Sequence, residues 1–94
     1  MNSIELQQHI IAFISEIETC AKSTAFAGDR PVYLQDIATA SSWLVKLNRG
    51  VLPDEVVKEI LSPQIDKAFG DYWRQGVWGD FEANALKKLR ETIS

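Results

Sequence analysis

Apolar residues recur at intervals of three and four through most of the chain, which is the period of an amphipathic helix. The first series is Leu6, Ile10, Phe13, Ile14, Ile17 and Ala21. It predicts a helix from Ile4 to about Ala25, with Ser3 as its N-cap and Glu5 in the first turn. Ile4 and Ile11 lie about 100° from the centre of this stripe. We therefore expect either another element to cover them or the two residues to form a self-association patch.

A second helix is predicted from about Val32 to Asn48. Its apolar residues form two neighbouring rows, Tyr33, Ile37, Ala40, Leu44 and Leu47, and beside them Leu34, Ala38, Ser41 and Val45. Because this apolar arc is wide, we expect the helix to be the most buried one. It should close at Gly50, since glycine adopts the backbone conformation that commonly ends a helix.

The C-terminal half predicts three further helices. Pro53 suits the first position of a short helix, and Pro63 repeats that start signal for a helix to about Gln75. The short helix should direct Val56, Val57, Ile60 and Leu61 inward. The last helix should run from a cap at Asp80 to about Thr92. Its apolar stripe is Phe81, Ala85, Leu86, Leu89 and Ile93.

These elements together predict an all-α fold, a compact single-domain bundle of four to five helices spanning residues 1–94. No segment alternates with the period of two that is typical of a half-buried strand. A length of 94 residues allows one domain, and 46% hydrophobic with 24% charged residues is the composition of an ordinary globular protein. No apolar run approaches the roughly eighteen residues of a membrane span. We expect a soluble, cytoplasmic protein.

The charge pattern bears on the class of partner. Thirteen acidic and 10 basic residues give a net charge of −3, without a basic arm or an acidic tail. Such a surface repels phosphate, so we do not expect nucleic acid as a partner. The segment Tyr33–Ala38 looks like the opening of a helix-turn-helix. However, the helical pattern continues to Gly50, and the next helix carries Asp54 and Glu55 rather than the basic or amide residues of a recognition helix.

Residues that carry chemistry are few. His9 is the only histidine and Cys20 the only cysteine, and both belong to the first predicted helix, about 16 Å apart along its axis. A metal site usually needs three or four ligands, and a nucleophilic cysteine needs a nearby base. We therefore predict no catalytic residue, no metal site and no cofactor.

Residues 69–81 contain five of the nine aromatic residues and three of the five glycines. Large rings bury the most apolar area, so this segment either fills the core or forms a binding surface. Tryptophan, tyrosine and arginine dominate binding hot spots. The candidate partner-binding residues are Trp73, Arg74 and Trp78, together with Trp43, which lies off the main row of its helix.

The favoured hypothesis is a non-catalytic protein that acts by protein–protein interaction, like adaptors, inhibitors or immunity proteins of this size and fold class. Its negative charge suits a basic partner. Self-association through Ile4 and Ile11 would in addition give a homodimer. Two alternatives stay open. One is a ligand-binding or enzymatic domain with a pocket lined by Trp43, Trp73 and Trp78, and the other is the helix-turn-helix regulator.

Overall fold

The structure, a computed structural model, describes residues 1–23, 30–65 and 79–94, with the side chains of residues 1–22, 30–65 and 85–94. Its helices are α1 (Ser3–Ser23), α2 (Arg30–Asn48), α3 (Pro53–Ile60) and α4 (Gly79–Ile93). Residues 63–65 are helical too, and the described ranges contain no strand. The predicted all-α bundle is confirmed. The remainder of the helix predicted from Pro63 to Gln75 lies outside the described residues.

The start of α1 is capped by Asn2, not by Ser3. The Glu5 backbone N–H donates to Asn2 Oδ1 at 2.8 Å, and Asn2 Nδ2 donates to Glu5 Oε1 at 3.1 Å. Ser3 is the first helical residue, and its hydroxyl accepts a hydrogen bond from Gln7 Nε2. Both residue types are good caps, so the two adjacent candidates differ only in which one leaves the helical backbone.

The end of α2 follows the prediction. Gly50 has a φ of +93°, a backbone conformation that favours glycine. Its N–H donates to the Leu47 carbonyl at 3.2 Å, and the Val51 N–H donates to the Lys46 carbonyl at 3.0 Å. This pair of bonds is the Schellman closure. α3 then begins at Pro53, also as predicted.

An apolar core joins the helices. α1 packs against both α2 and α4, and α2 packs against α3. The buried apolar residues are Leu6, Ile10, Phe13, Ile17, Tyr33, Ala40, Trp43, Leu47, Val56, Ile60, Ile65, Ala85, Leu86, Leu89 and Ile93. In α1 and α4 these are members of the predicted stripes. Leu61, predicted to point inward, is 41% exposed; it is the C-cap residue that follows α3.

The apolar arc of α2 is buried on one side only. Its buried residues are Tyr33, Asp36, Ala40, Trp43 and Leu47. Asp36 and Trp43 thus take the places that the sequence pattern gives to Ile37 and Leu44, both of which are half-buried. The second row of the arc faces away from the core.

Polar side chains also join the helices. Arg90 of α4 donates through Nε to the Ile60 carbonyl at 3.0 Å and through Nη2 to the Ser62 carbonyl at 3.3 Å. The guanidinium therefore binds the carbonyl of the last residue of α3. It also binds the Ser62 carbonyl, which accepts the Ile65 backbone N–H as well, at 3.1 Å. Lys46 of α2 forms an ion pair with Glu59 of α3 at 2.6 Å.

Candidate interaction surface

Trp43, one of the four candidate partner-binding residues, belongs to the core. It is 0% exposed, and its ring stacks against that of Phe13 with centroids 6.1 Å apart. A side chain without exposed surface cannot touch a partner or line an open pocket, so we assign Trp43 to packing. Trp73, Arg74 and Trp78 lie outside the described residues.

Ile4 and Ile11 lie on the side of α1 that faces away from the core. They are 69% and 54% exposed, so no described element covers them. They are seven residues apart, which places them on one line about 10 Å long. Among the described residues, no element covers Ile4 and Ile11. Their role as a self-association patch stays a prediction.

A second exposed surface lies on α2, where the sequence pattern predicts a wide buried arc. We call it the outer face of α2 and define it by Leu34, Ala38, Ser41 and Val45. These residues follow each other at intervals of four, three and four, so they form one row about 16 Å long. Leu34 is 59% exposed and Val45 is 46% exposed. Ala38 is exposed and Ser41 half-buried.

The outer face of α2 carries no charge. From Pro31 to Val45 the one charged residue is Asp36, which is 3% exposed on the opposite, buried side of the helix. The solvent side of a helix in a globular protein normally carries charged and polar residues. About four turns of solvent-facing helix without one charged side chain therefore need an explanation other than solubility.

Two arginines bracket this face. Arg30 is the first residue of α2 and Arg49 follows its last residue, about 28 Å further along the axis. By the 100° rotation per residue, both project within about 60° of the outer face. Within the part of the chain that the structure describes, neither one forms an ion pair. Near the C-terminal end of α2, Lys46 forms the ion pair with Glu59, and Arg49 does not take part in it.

Arg30 is unfavourably placed for the helix itself. The first turn of a helix carries positive partial charge, so a cation there costs about 0.3–1 kcal/mol relative to a favourable charge. The first turn of α2 contains no acidic residue that would offset it. Within the first turn of α2, the helix dipole therefore does not favour an arginine at this position.

Beside Arg30, a groove of about 340 Å³ lies between α1 and α2. Its lining residues are Glu18, Ala21, Lys22, Arg30, Leu34 and Ile37. Leu34 and Ile37 are apolar, whereas Glu18, Lys22 and Arg30 are charged. The groove thus extends the outer face of α2 toward α1 as an apolar recess between charged side chains.

His9 and Cys20, the two residues singled out for chemistry, lie in different surroundings. His9 faces a groove of about 60 Å³ between α1 and α4, where Glu16 and Lys88 form an ion pair at 3.3 Å. Cys20 is half-buried against the core. No three His, Cys, Asp or Glu side chains in the described ranges lie close enough together to hold a metal ion.

The backbone of α2 bears on the helix-turn-helix interpretation. α2 is one helix from Arg30 to Asn48, so the segment Tyr33–Ala38 is not followed by the turn that this motif requires. α3, the next described helix, has Asp54 and Glu55 in its first turn.

Comparison with protein-family models, with curated proteins and with solved structures finds no match to this chain. No helix in residues 1–23, 30–65 or 79–94 has the length and apolar character needed to cross a membrane.

Proposed function

We propose that this protein acts by binding another protein through the outer face of α2, and that it does not catalyse a reaction. The observation that supports this proposal is the exposed, charge-free row from Leu34 to Val45. Contiguous apolar surface that stays exposed marks interaction sites. The centre of a protein interface is depleted of charged residues in the same way.

Packing gives no other reason for this row. Leu34 and Val45 are exposed and do not belong to the core cluster. Charged residues at such positions would leave the core intact and would favour solubility. Contact with another molecule explains why this part of α2 carries leucine, alanine, serine and valine instead.

The proposal covers a class of proteins rather than a named activity. Adaptors, inhibitors and immunity-type proteins all act by binding alone, and a small helical bundle suits each of them. The net charge of −3 favours the approach of a basic partner at long range. We also propose that the protein works in the cytoplasm, in keeping with its single cysteine.

Site-specific cross-linking in the native cells tests the proposal. A photoreactive amino acid at Ala38 should give an adduct of defined mass, since Ala38 is exposed in the middle of the row. The same group at Lys87, exposed on α4, is the matched control and should give none. An identical adduct from both positions, or none from Ala38, would contradict binding through the outer face of α2.

A pair of double variants then locates the surface. Leu34→Glu with Val45→Glu should abolish the adduct from Ala38, because each carboxylate would be buried on binding. Ile4→Glu with Ile11→Glu introduces the same charges at apolar positions of α1 that are somewhat more exposed than Leu34 and Val45. This second variant should leave the adduct unchanged.

Self-association through Ile4 and Ile11 is a second proposal, carried by their joint exposure on one line of α1. Sedimentation at rising concentration should show a dimer that Ile4→Glu with Ile11→Glu abolishes. A monomer throughout would remove the homodimer and would leave binding through α2 untouched.

A further inference from the structure

We infer that the outer face of α2 binds an amphipathic helix whose apolar row ends in acidic side chains on both sides. This inference rests on the proposed function and adds the chemistry of the partner. It combines an uncharged row about 16 Å long with two cations about 28 Å apart, one beyond each end of that row.

The spacing of the row favours a helix as occupant. Intervals of four, three and four residues are those of a helix-packing seam. Such seams cross at about 20°, so the two helices stay close over several turns. The small residues Ala38 and Ser41 stand in the middle of the row and allow close approach, while Leu34 and Val45 provide the larger contacts at its ends.

The two arginines decide the charge of the partner. With a crossing angle of about 20°, the ends of a 28 Å partner segment lie about 5 Å to either side of the α2 axis, which is within reach of an arginine side chain. Arg30 and Arg49 are exposed, and neither forms an ion pair in the described ranges. A guanidinium binds a carboxylate through two parallel hydrogen bonds. Carboxylates at the two ends of the partner helix would therefore fix its register.

A second copy of this chain does not fit the same face. Two α2 helices packed antiparallel about the middle of the row place Arg30 opposite Arg49 of the copy, at both ends. Packed parallel, each arginine lies beside its own counterpart. Like charges meet in either arrangement and oppose association.

The net charge of the whole protein predicts a basic partner, whereas the charges near the outer face of α2 predict an acidic one. An experiment can therefore distinguish the two. A net charge of −3 would favour a lysine-bearing partner. Direct contact is governed by the nearest charges, because salt screens those further away than about 8–10 Å. Next to the outer face of α2, Lys46 is paired with Glu59, and Glu18 and Lys22 at the groove carry opposite charges. Arg30 and Arg49 are then the charges near the row that no ion pair offsets in the described ranges.

The experiment uses the full chain and two synthetic helical peptides as probes. Both present leucine and alanine at the spacing of the row, one with glutamates at its ends and the other with lysines. Calorimetric titration at low salt should give about tenfold tighter binding of the glutamate peptide. Equal binding, tighter binding of the lysine peptide, or no binding of either at about 1 mM would overturn the inference.

Variants of Arg30 separate a binding role from a structural one. Arg30→Gln should weaken the glutamate peptide several-fold and should leave the melting temperature unchanged or slightly raised, because the cation opposes the helix dipole. Arg30→Lys keeps the charge but loses the two parallel hydrogen bonds, so it should weaken binding less than Arg30→Gln does. Lys87→Gln on α4 should leave binding unchanged. Loss of stability with unchanged binding in Arg30→Gln would contradict the assignment.

The inference and the proposed function can fail separately. If Ala38 cross-links to a partner in cells while the lysine peptide binds better in vitro, the acidic helix is wrong and binding through the outer face stands. If Ala38 gives no adduct and neither peptide binds, both are wrong.

Discussion

α2 presents one face to the core and the opposite face to solvent, and between Pro31 and Val45 neither has an exposed charge. The buried face carries Tyr33 and Trp43, whose rings provide large areas for packing. The outer face carries small and medium-sized residues instead. Apolar character alone does not tell which face is inside; the size of the side chains does.

The described side chains of α4 show the more usual pattern of a helix at a protein surface. Its buried residues Ala85, Leu86 and Leu89 pack against the core, and the exposed positions Lys87 and Lys88 between them are charged. The described part of α4 thus has a charged outer side, whereas the outer face of α2 is uncharged, and this contrast supports the proposal that α2 binds a partner.

The largest effect is expected on the buried face. Trp43→Ala should lower the free energy of unfolding by about 3–5 kcal/mol, because it removes a fully buried ring that stacks on Phe13. Urea denaturation followed by circular dichroism measures it. Trp43→Phe retains part of the packing and should cost less. A change below about 1 kcal/mol would place Trp43 outside the core.

Gly50 ends α2 and so affects the helix that carries both the buried and the outer face. Gly50→Ala should destabilise the protein by about 1–2 kcal/mol, since an L side chain is strained at positive φ. An added Cβ meets no atom within 4 Å, so the cost is one of backbone conformation. Gly50→Asn should cost less, and an equal loss in both variants would point to a different cause.

The ion pair between Lys46 and Glu59 links α2 to α3. Because both side chains are partly exposed, a double-mutant cycle of Lys46→Ala and Glu59→Ala should give a coupling of only about 0.2–1 kcal/mol. Raising the salt concentration should shrink it. A coupling that stays constant in high salt would argue against an electrostatic origin.

The smallest effect on stability is expected on the outer face. Leu34→Ser with Val45→Ser should change the free energy of unfolding by less than about 0.5 kcal/mol per site, since both side chains are exposed. The same variant should lose the cross-linked partner. A large drop in the melting temperature would show that the outer face serves the fold, and the contrast between the two faces would be lost.

Local signals sufficed for most helix ends. Pro53 and Gly50 act through their own backbone preferences, so their roles could be predicted without tertiary information. The choice between Asn2 and Ser3 as cap could not, because both are suitable. For Arg90, the sequence alone indicates only a cation near the C-terminal end of its helix, where the dipole favours it. Its bonds to the Ile60 and Ser62 carbonyls join residues about thirty positions apart, and no local pattern encodes them.

The buried face of α2 was misread at two positions for a physical reason. Tyr33, Asp36, Ala40, Trp43 and Leu47 follow each other at intervals of three and four, as a core-facing row should. From the sequence alone, the neighbouring row with Ile37 and Leu44 is preferred as the core-facing row, because it is more hydrophobic than a row that contains an aspartate. The sequence shows that Asp36 is the one charged residue from Pro31 to Val45, but only the exposure of Leu34 and Val45 identifies this part of α2 as a candidate surface.

Arg90 also sets an order of events during biosynthesis. The Ile60 and Ser62 carbonyls are synthesised about thirty residues before the Arg90 guanidinium that binds them. At typical rates of translation this is a delay of roughly 2–6 s. Until α4 has been synthesised, the side of α1 that packs against it lacks that contact.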